Sequence, residues 1–377
     1  MKALVTGGTG FLGPYILYHL VDFYDEIILV DPFRDSIEFN EKYFKFIDFS
    51  NYELNDMEKQ SKKQNFRNKI KVVKADITNP ATLTPHMTGV DHVFHAAAVV
   101  TSAPKDEKRI HYPTNVEGTK NILNLCAEHN IKRLIYTSSF VALGPLTKEQ
   151  AKIGTLANES QNVKIPIRHP YVNTKYEAGQ VVDNFIKNAT YDIITVCPTT
   201  IIGYGMDNMV TTAFLDYIHQ RLPGLPNGGR TRINQVLAED VGAGQLLAAL
   251  KGKHGEKYIL GGENLQFRDF FQMFGKVLGY DMPRSVPGWL VGILLSVQGK
   301  IIKNPRMTAA DFKLSGFEWA YSIEKANKEL GYYPLPINEE TFVKPFIKYL
   351  LQENRIQIKY ASKLKDFLKV ERAPVIN

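Results

Sequence analysis

Cysteine is nearly absent from this 377-residue sequence: only Cys126 and Cys197 are present. No metal-ligand spacing joins them, so no metal centre is expected. So few thiols fit a reduced compartment, and a cytoplasmic location is the expectation. Long hydrophobic runs are missing too. No stretch approaches the roughly 20 apolar residues that span a bilayer. The opening MKALVTGG enters a strand-like run at once, without the basic start and longer apolar stretch of a secretory signal. Low complexity is also absent: 44% of residues are hydrophobic and 23% charged, which is ordinary for a globular chain with a substantial core. The net charge is +7, a bias that favours anionic ligands or surfaces. Yet no basic block with interleaved aromatics marks a nucleic-acid module, and none is expected to bind.

What is present is a rhythm. Short apolar runs at Ala3–Val5, Ile27–Val30, Val72–Val73, Val90–His95, Leu134–Thr137 and Ile193–Cys197 read as six strands. Helical patterns separate several of them, notably over Asn115–His129 and Tyr171–Lys187. Such alternation indicates parallel βαβ units, and unbroken apolar strands indicate burial on both faces. After Pro198 the rhythm changes. A Pro/Gly loop spans Leu222–Gly229, a helix is expected over Val241–Lys251, a seventh strand over Lys257–Leu260, and mostly helix beyond. The fold class is therefore α/β: a Rossmann-type, doubly wound parallel sheet with a smaller, mostly helical substrate domain. The expected division is 1–200 for the nucleotide-binding domain, with 236–262 returning to it. Residues 201–235 and 263–350 then form the substrate domain, and 351–377 a basic amphipathic tail. The connection Pro32–Ile70 is long for its place. It reads as a helix-bearing insertion, with a partner surface or lid as the alternative.

Between the first strand and the first helix lies GGTGFLG. Gly7, Gly10 and Gly13 are spaced by three, and Gly8 offers a second glycine register on Gly10 and Gly13. Glycines allow a tight turn and close approach of backbone to a pyrophosphate, which the helix N-terminus attracts. The strand–loop–helix context is what this motif requires. Asp31 ends the second strand, 18 residues after Gly13. An acid there accepts from ribose hydroxyls and repels a ribose phosphate, so NAD is expected, with NADP the alternative because Arg34 is close by. A turn residue before Pro32 is the other reading of Asp31.

Tyr171 and Lys175 are four apart on the expected helix, so their side chains share a face. A nearby ammonium is expected to lower the phenol pKa and make it a usable acid or base. Ser138 and Ser139 end the fifth strand, where a hydroxyl points into the crevice in which such sheets bind ligands. There it can bond a substrate carbonyl or alcohol, or simply cap the backbone.

Together with KADITNP, VFHAAAVV, NVEGTKNIL, YTSSFVALG, CPTTIIG and KYILGGEN, these motifs resemble the extended short-chain dehydrogenase/reductase superfamily from Met1 to about Leu350. The resemblance is nearest to the branch of 3-beta-hydroxysteroid dehydrogenases, dihydroflavonol reductases and NAD-dependent epimerase/dehydratase proteins. It implies that Gly7, Gly10, Phe11, Leu12 and Gly13 form the pyrophosphate loop and that Asp76 and Ile77 border adenine. It further implies that Ala96, Ala97 and Ala98 line the cofactor, and that Asn115 ties the active-site hydrogen-bond network. Thr137, Pro198, Thr199 and Thr200 are implied to contact the nicotinamide end, with Tyr171 and Lys175. Ser139, five residues before Gly144, matches the catalytic serine better than Ser138, giving a Ser139–Tyr171–Lys175 set. Two departures stand out. Leu237 and Ala238 replace the His and Val usual in nucleotide-sugar members, and Gly179 replaces a common glutamate.

The resulting expectation is an NAD(P)-dependent oxidoreductase acting on a secondary alcohol or ketone of a small, apolar substrate. An NDP-sugar epimerase or dehydratase with tightly bound NAD is the alternative, and a cofactor-binding scaffold without catalysis a third. Arg230, Arg232 and Arg268 are candidate partners for a sugar diphosphate; Trp289–Leu295 is a candidate apolar wall. The stretch Val286–Ile302 is read as a helix lining an apolar pocket, with a membrane-surface helix as the other reading. The expected partners are a small-molecule substrate and a second copy of the chain in a homodimer, with peripheral membrane contact a further candidate.

Overall fold

The computed structural model describes all residues except 41, 42, 50, 101–106, 166, 302–307, 358, 359, 361–363 and 365–377. Seven parallel strands form its main sheet: β1 (Lys2–Thr6), β2 (Glu26–Asp31), β3 (Ile70–Lys74), β4 (His92–His95), β5 (Arg133–Thr137), β6 (Asp192–Pro198) and β10 (Lys257–Leu260). Their spatial order is β10-β6-β5-β4-β1-β2-β3. The order reverses at β1, between β2 and β4, and that switch point opens the crevice where ligands of such sheets bind.

Alternate residues of β1 enter different cores. Ala3 and Val5 pack with Ile16, Leu20, Val241 and Ala248 on one face. Leu4 packs with Ile122, Leu123, Ala178 and Val182 on the other. Both faces are thus covered by helices, which is why the strands read as unbroken apolar runs. The Gly13–Phe23 and Ala238–Lys251 helices lie on the first face; Gly118–Glu128 and Pro170–Ile186 lie on the second.

The long connection after β2 carries helices Lys45–Phe49 and Asp56–Lys69. Phe44, Phe46, Ile47 and Phe66 are buried against Tyr15 and Tyr18 of the first helix. Tyr52 stacks on Tyr18 with ring centroids 3.6 Å apart. Aromatic burial of this kind gives the insertion its hold on the body. Its described residues extend the core.

After β6 the chain builds a second, small sheet. β7 (Thr200–Ile202) pairs parallel with β9 (Arg232–Leu237), which pairs antiparallel with β11 (Glu263–Gln266). A two-strand ladder joins β8 (Leu225–Pro226) and β12 (Ser285–Val286). The substrate-side region is mostly helical among its described residues, as expected, and carries in addition this small sheet. Its strands are short, and Asn234, Gln235, Asn264 and Gln266 break the apolar alternation that would have marked them. Behind it, Phe214, Phe270, Phe271, Phe274, Phe342 and Phe346 form an aromatic core. Ile356 and Leu364 of the C-terminal segment pack there as well, and Tyr360 donates to the His219 carbonyl at 2.7 Å. The described part of the tail thus docks on the body; 365–377 lie outside the described residues.

Candidate active site

The turn after β1 can be made only with glycine. Gly7 has φ +76°, and a Cβ there would sit 2.5 Å from the Ala97 nitrogen. That contact presses the loop onto the end of β4, where Ala96 N–H donates to Thr6 O and Ala97 N–H to the Thr6 hydroxyl. A Cβ on Gly13 would fall 2.1 Å from the Gly8 carbonyl oxygen, so the helix start packs against the loop itself. Gly10 is exposed. Among the described residues, the backbone N–H groups of Phe11 and Leu12 have no hydrogen-bond acceptor. Free donors at a helix N-terminus, beside an exposed glycine, fit a pyrophosphate. The Phe11 ring packs between two hydrophobic cores, so its backbone faces the loop opening while its side chain anchors it.

Asp31 is buried at the end of β2. Its Oδ1 accepts from the N–H groups of Phe33 and Arg34 at 2.7 and 2.8 Å. Its Oδ2 lies 3.9 Å from the Arg34 guanidinium. Burial pushes this carboxyl up, but the bonds from Phe33, the Thr9 hydroxyl and Arg34 outweigh it and hold the group below its ordinary range. Asp31 is therefore both the turn-former and an ionised carboxylate beside the glycine loop. Asp76 accepts from Thr78 N–H at 2.8 Å. Ile77 packs where a side chain on Gly118 would be.

Asn115 sits in a π-helical turn, Pro113–Glu117, a feature frequent at functional sites. Its amide accepts from Val99 N–H at 2.8 Å and donates to Val99 O at 3.0 Å. It also donates to the Thr174 hydroxyl at 2.9 Å. One side chain thereby ties the segment after Ala96–Ala98 to the helix that carries Tyr171.

That helix, Pro170–Ile186, begins at His169, whose ring caps it and bonds Asp311 at 3.0 Å. Tyr171 and Lys175 lie one turn apart on it. Ser139 caps the short Phe140–Leu143 helix after β5, and its hydroxyl lies close enough to the Tyr171 phenol to favour its ionised form. Ser138 is instead turned toward Tyr136 and Cys197, whose pKa values its hydroxyl lowers. Gly144, which set the register of the serines, has φ +91°, and a Cβ there would lie 2.0 Å from the Val163 carbonyl oxygen. The Lys175 ammonium is buried and donates to Thr137 O at 2.9 Å.

Burial raises the Tyr171 phenol, and the nearby Ser139 hydroxyl lowers it in part. The expected lowering by Lys175 is not among the causes. Burial instead brings Lys175 itself down to about 8. Both groups lie in a poorly solvated place, where desolvation outweighs their mutual effect.

Thr199 follows β6, with its N–H on Leu260 O and its buried hydroxyl without a hydrogen-bond partner. A buried orphan at the strand ends fits a ligand amide. Thr200 belongs to the small sheet, opposite Gln235. Sequence reasoning missed Thr9, Thr174, Asp311 and Gln245, whose amide donates to the Thr137 hydroxyl at 2.8 Å. The HP step before Tyr171 was a visible signal for the His169 cap; the other four meet their partners only through the fold. Of the candidate diphosphate partners, Arg232 is paired with Glu318 at 2.8 Å, whereas Arg230 and Arg268 are exposed. Trp289, Leu290, Ile293 and Leu294 face solvent, so the expected apolar wall is an outer surface in this structure.

Comparisons with known proteins agree with this geometry. The model of the 3-beta hydroxysteroid dehydrogenase/isomerase family matches residues 4–286. A Synechocystis sp. protein that carries the name of a dihydroflavonol 4-reductase is 29% identical, over 87% of this chain and 88% of its own. The 3beta-hydroxysteroid-dehydrogenase/decarboxylase isoform 1 of Arabidopsis thaliana is 27% identical, over 72% of this chain and 65% of its own. In fold, the chain is similar to the dTDP-glucose 4,6-dehydratase DesIV of Streptomyces venezuelae, solved with NAD bound. The TM-score is 0.67 and the identity 20%, covering 94% of this chain and 98% of that one. The chain belongs to the 3-beta hydroxysteroid dehydrogenase/isomerase family of extended short-chain dehydrogenases/reductases, and is an NAD(P)-dependent oxidoreductase of that type.

Proposed function

We propose that this enzyme interconverts a secondary alcohol and a ketone on a small apolar substrate, with Tyr171 exchanging the proton. The observation that carries the reading is the Ser139 hydroxyl set near the Tyr171 phenol at the strand ends, with Lys175 one helical turn away and its ammonium on Thr137 O. Bound NAD(P) supplies or takes the hydride. A phenol raised by burial holds its proton at neutral pH, ready to give it to a carbonyl oxygen as the adjacent carbon gains hydride. In the oxidative direction the phenolate takes the alcohol proton. The Ser139 hydroxyl donates to the substrate oxygen and fixes its place between Ser139 and Tyr171. Lys175, one helical turn from Tyr171 and held by Thr137 O, offers positive charge as the phenol ionises.

NAD rather than NADP is the proposed cofactor, because the ionised Asp31 repels a ribose phosphate and already engages Arg34. Gly7, Gly10, Phe11, Leu12 and Gly13 hold the pyrophosphate by their backbone. Ala96–Ala98, Asn115, Pro198, Thr199 and Thr200 line the nicotinamide end, and Asp76 with Ile77 the adenine. Segments 201–235 and 263–350 form the substrate side. The apolar substrate is favoured because Arg232, one of the three candidate cations, is neutralised by Glu318. NADH formation or loss against 3β-hydroxysterols, dihydroflavonols and nucleotide sugars tests the reading. Stoichiometric cofactor turnover on an apolar alcohol or ketone supports it. Conversion of a nucleotide sugar without net cofactor consumption overturns it in favour of an epimerase or dehydratase.

A further inference from the structure

Tyr171 is the second residue of its helix, Pro170–Ile186. In the first turn of a helix the N–H groups lack intrahelical acceptors, and the chain is held there least by the helix itself. A phenol that must meet a substrate oxygen at hydrogen-bond distance needs an anchor from outside that turn. His169 supplies one. Its carbonyl accepts from Asn173 N–H at 3.0 Å, and its ring Nδ1 accepts from Val172 N–H at 3.5 Å. Its Nε2 lies 3.0 Å from Oδ1 of Asp311, 142 residues away in the chain. Both side chains are buried, at 5% and 9% exposure.

These bonds assign the ring proton. Nδ1 accepts, so the hydrogen sits on Nε2 and is donated to Asp311. Asp311 lies in the first turn of the Ala309–Leu314 helix. Its Oδ2 accepts from the N–H and the hydroxyl of Thr308, both at 2.7 Å, which leaves Oδ1 for His169. Burial pushes this carboxyl up, but the bonds from His169 and Thr308 outweigh it and hold the group below its ordinary range. An ionised acceptor makes the contact a charge-assisted hydrogen bond, stronger than a neutral one. The segment that follows Asp311 borders the active site. Leu314 and Phe317 pack in the same apolar cluster as Tyr171 and Phe140. Trp319 meets the Phe140 ring edge-to-face at 5.0 Å and donates to Leu314 O at 3.0 Å.

We propose that His169 and Asp311 are positioning residues for Tyr171: their hydrogen bond clamps the first turn of the tyrosine helix to the substrate-side segment, so that phenol and substrate oxygen keep a fixed separation. The inference rests on the proposed role of Tyr171 in exchanging the substrate proton. Capping alone would not require it, because an asparagine or serine at the helix start satisfies the same N–H. Histidine does so with a second nitrogen left over, and here that nitrogen is directed at a buried acid from the other side of the crevice.

Two substitutions separate the cap from the clamp. His169→Asn puts an amide where Nδ1 stands, so it keeps the cap but is too short to reach Asp311. His169→Gln puts an amide where Nε2 stands, so it keeps a donor for Asp311 and loses the cap. Turnover of the substrate found by the NADH assay is measured per NAD-binding site, counted by NAD titration, so that unfolded chains drop out. The kcat should fall about tenfold in His169→Asn and stay within about threefold of the parent in His169→Gln. The KM for the substrate should stay within about threefold in both. Asp311→Ala should match His169→Asn, and the two combined should be no worse than either, because the same bond is lost in all three. Equal kcat in the two His169 variants overturns the proposal, as does the reverse order. So does a double variant whose loss is the product of the single losses. Tyr171→Phe in the same assay keeps the two claims apart. If it is inactive while His169→Asn is fully active, the clamp alone fails; if it is active, the proton exchange on which the clamp rests fails.

Discussion

Replacing Glu239 with glutamine should stabilise this protein in a strictly pH-dependent way. Glu239 opens the Ala238–Lys251 helix, the one that carries Gln245 to Thr137. It is buried at 5% exposure, and its Oε2 has no hydrogen-bond partner. Burial, with a smaller contribution from the neighbouring Asp240, raises its carboxyl from 4.5 to about 7. At pH 4 the group is protonated in both folded and unfolded chains, and it costs nothing. As pH rises past 4.5 the unfolded chain ionises first, and stability falls until the folded chain ionises too, near pH 7. Above that the loss is complete, on the order of 3 kcal/mol. Glutamine keeps the shape and removes the charge. Its own amide adds an offset that does not vary with pH. Urea unfolding of both proteins at pH 4.5 and pH 8 isolates the effect: the advantage of Glu239→Gln should grow by about 3 kcal/mol between them. A difference that stays constant over that range would refute the argument that burial of the Glu239 carboxyl outweighs the backbone N–H groups that favour its charge.

Two further outcomes concern the cofactor. Gly7→Ala places a Cβ 2.5 Å from the Ala97 nitrogen at φ +76°. It should lower NAD affinity at least tenfold and reduce the melting temperature, since a left-handed non-glycine residue alone costs about 1–2 kcal/mol; unchanged NAD titration would contradict the loop's role. Asp31→Ser removes the carboxylate beside Arg34 and should shift the NADP-to-NAD affinity ratio upward by about tenfold. An unmoved ratio, read from the two dissociation constants, would show that Asp31 serves the turn alone.

The sheet was legible because its signals are local. Six of the seven strands announce themselves as apolar runs, and the seventh, β10, by its place before Gly261–Gly262. The glycine loop was legible for the same reason: Gly7, Gly10 and Gly13 lie in one short stretch, and their packing against Gly8 and Ala97 follows from the strand–turn–helix they join. Ser139 and Tyr171 are 32 residues apart, and only the family pattern joined them before the fold did. What stayed hidden is what depends on distant partners. The small sheet rests on polar strands that pair across the chain, Thr200 with Gln235 and Asn264 with Asn234. The Lys175 ammonium was expected to act on the Tyr171 phenol, yet its environment is set by the Thr137 carbonyl and by burial. For Trp289–Leu295, periodicity reported an apolar helix face but not the side of the molecule it occupies.

The central claim is that Tyr171 exchanges the substrate proton. Tyr171→Phe keeps the ring in its place and removes only the hydroxyl near Ser139. Turnover of the substrate found by the NADH assay should fall at least ~100-fold, the scale of losing a positioned acid or base. The dissociation constant for NAD should stay within a few-fold of the parent value. Turnover near that of the parent, with NAD binding intact, would contradict the account.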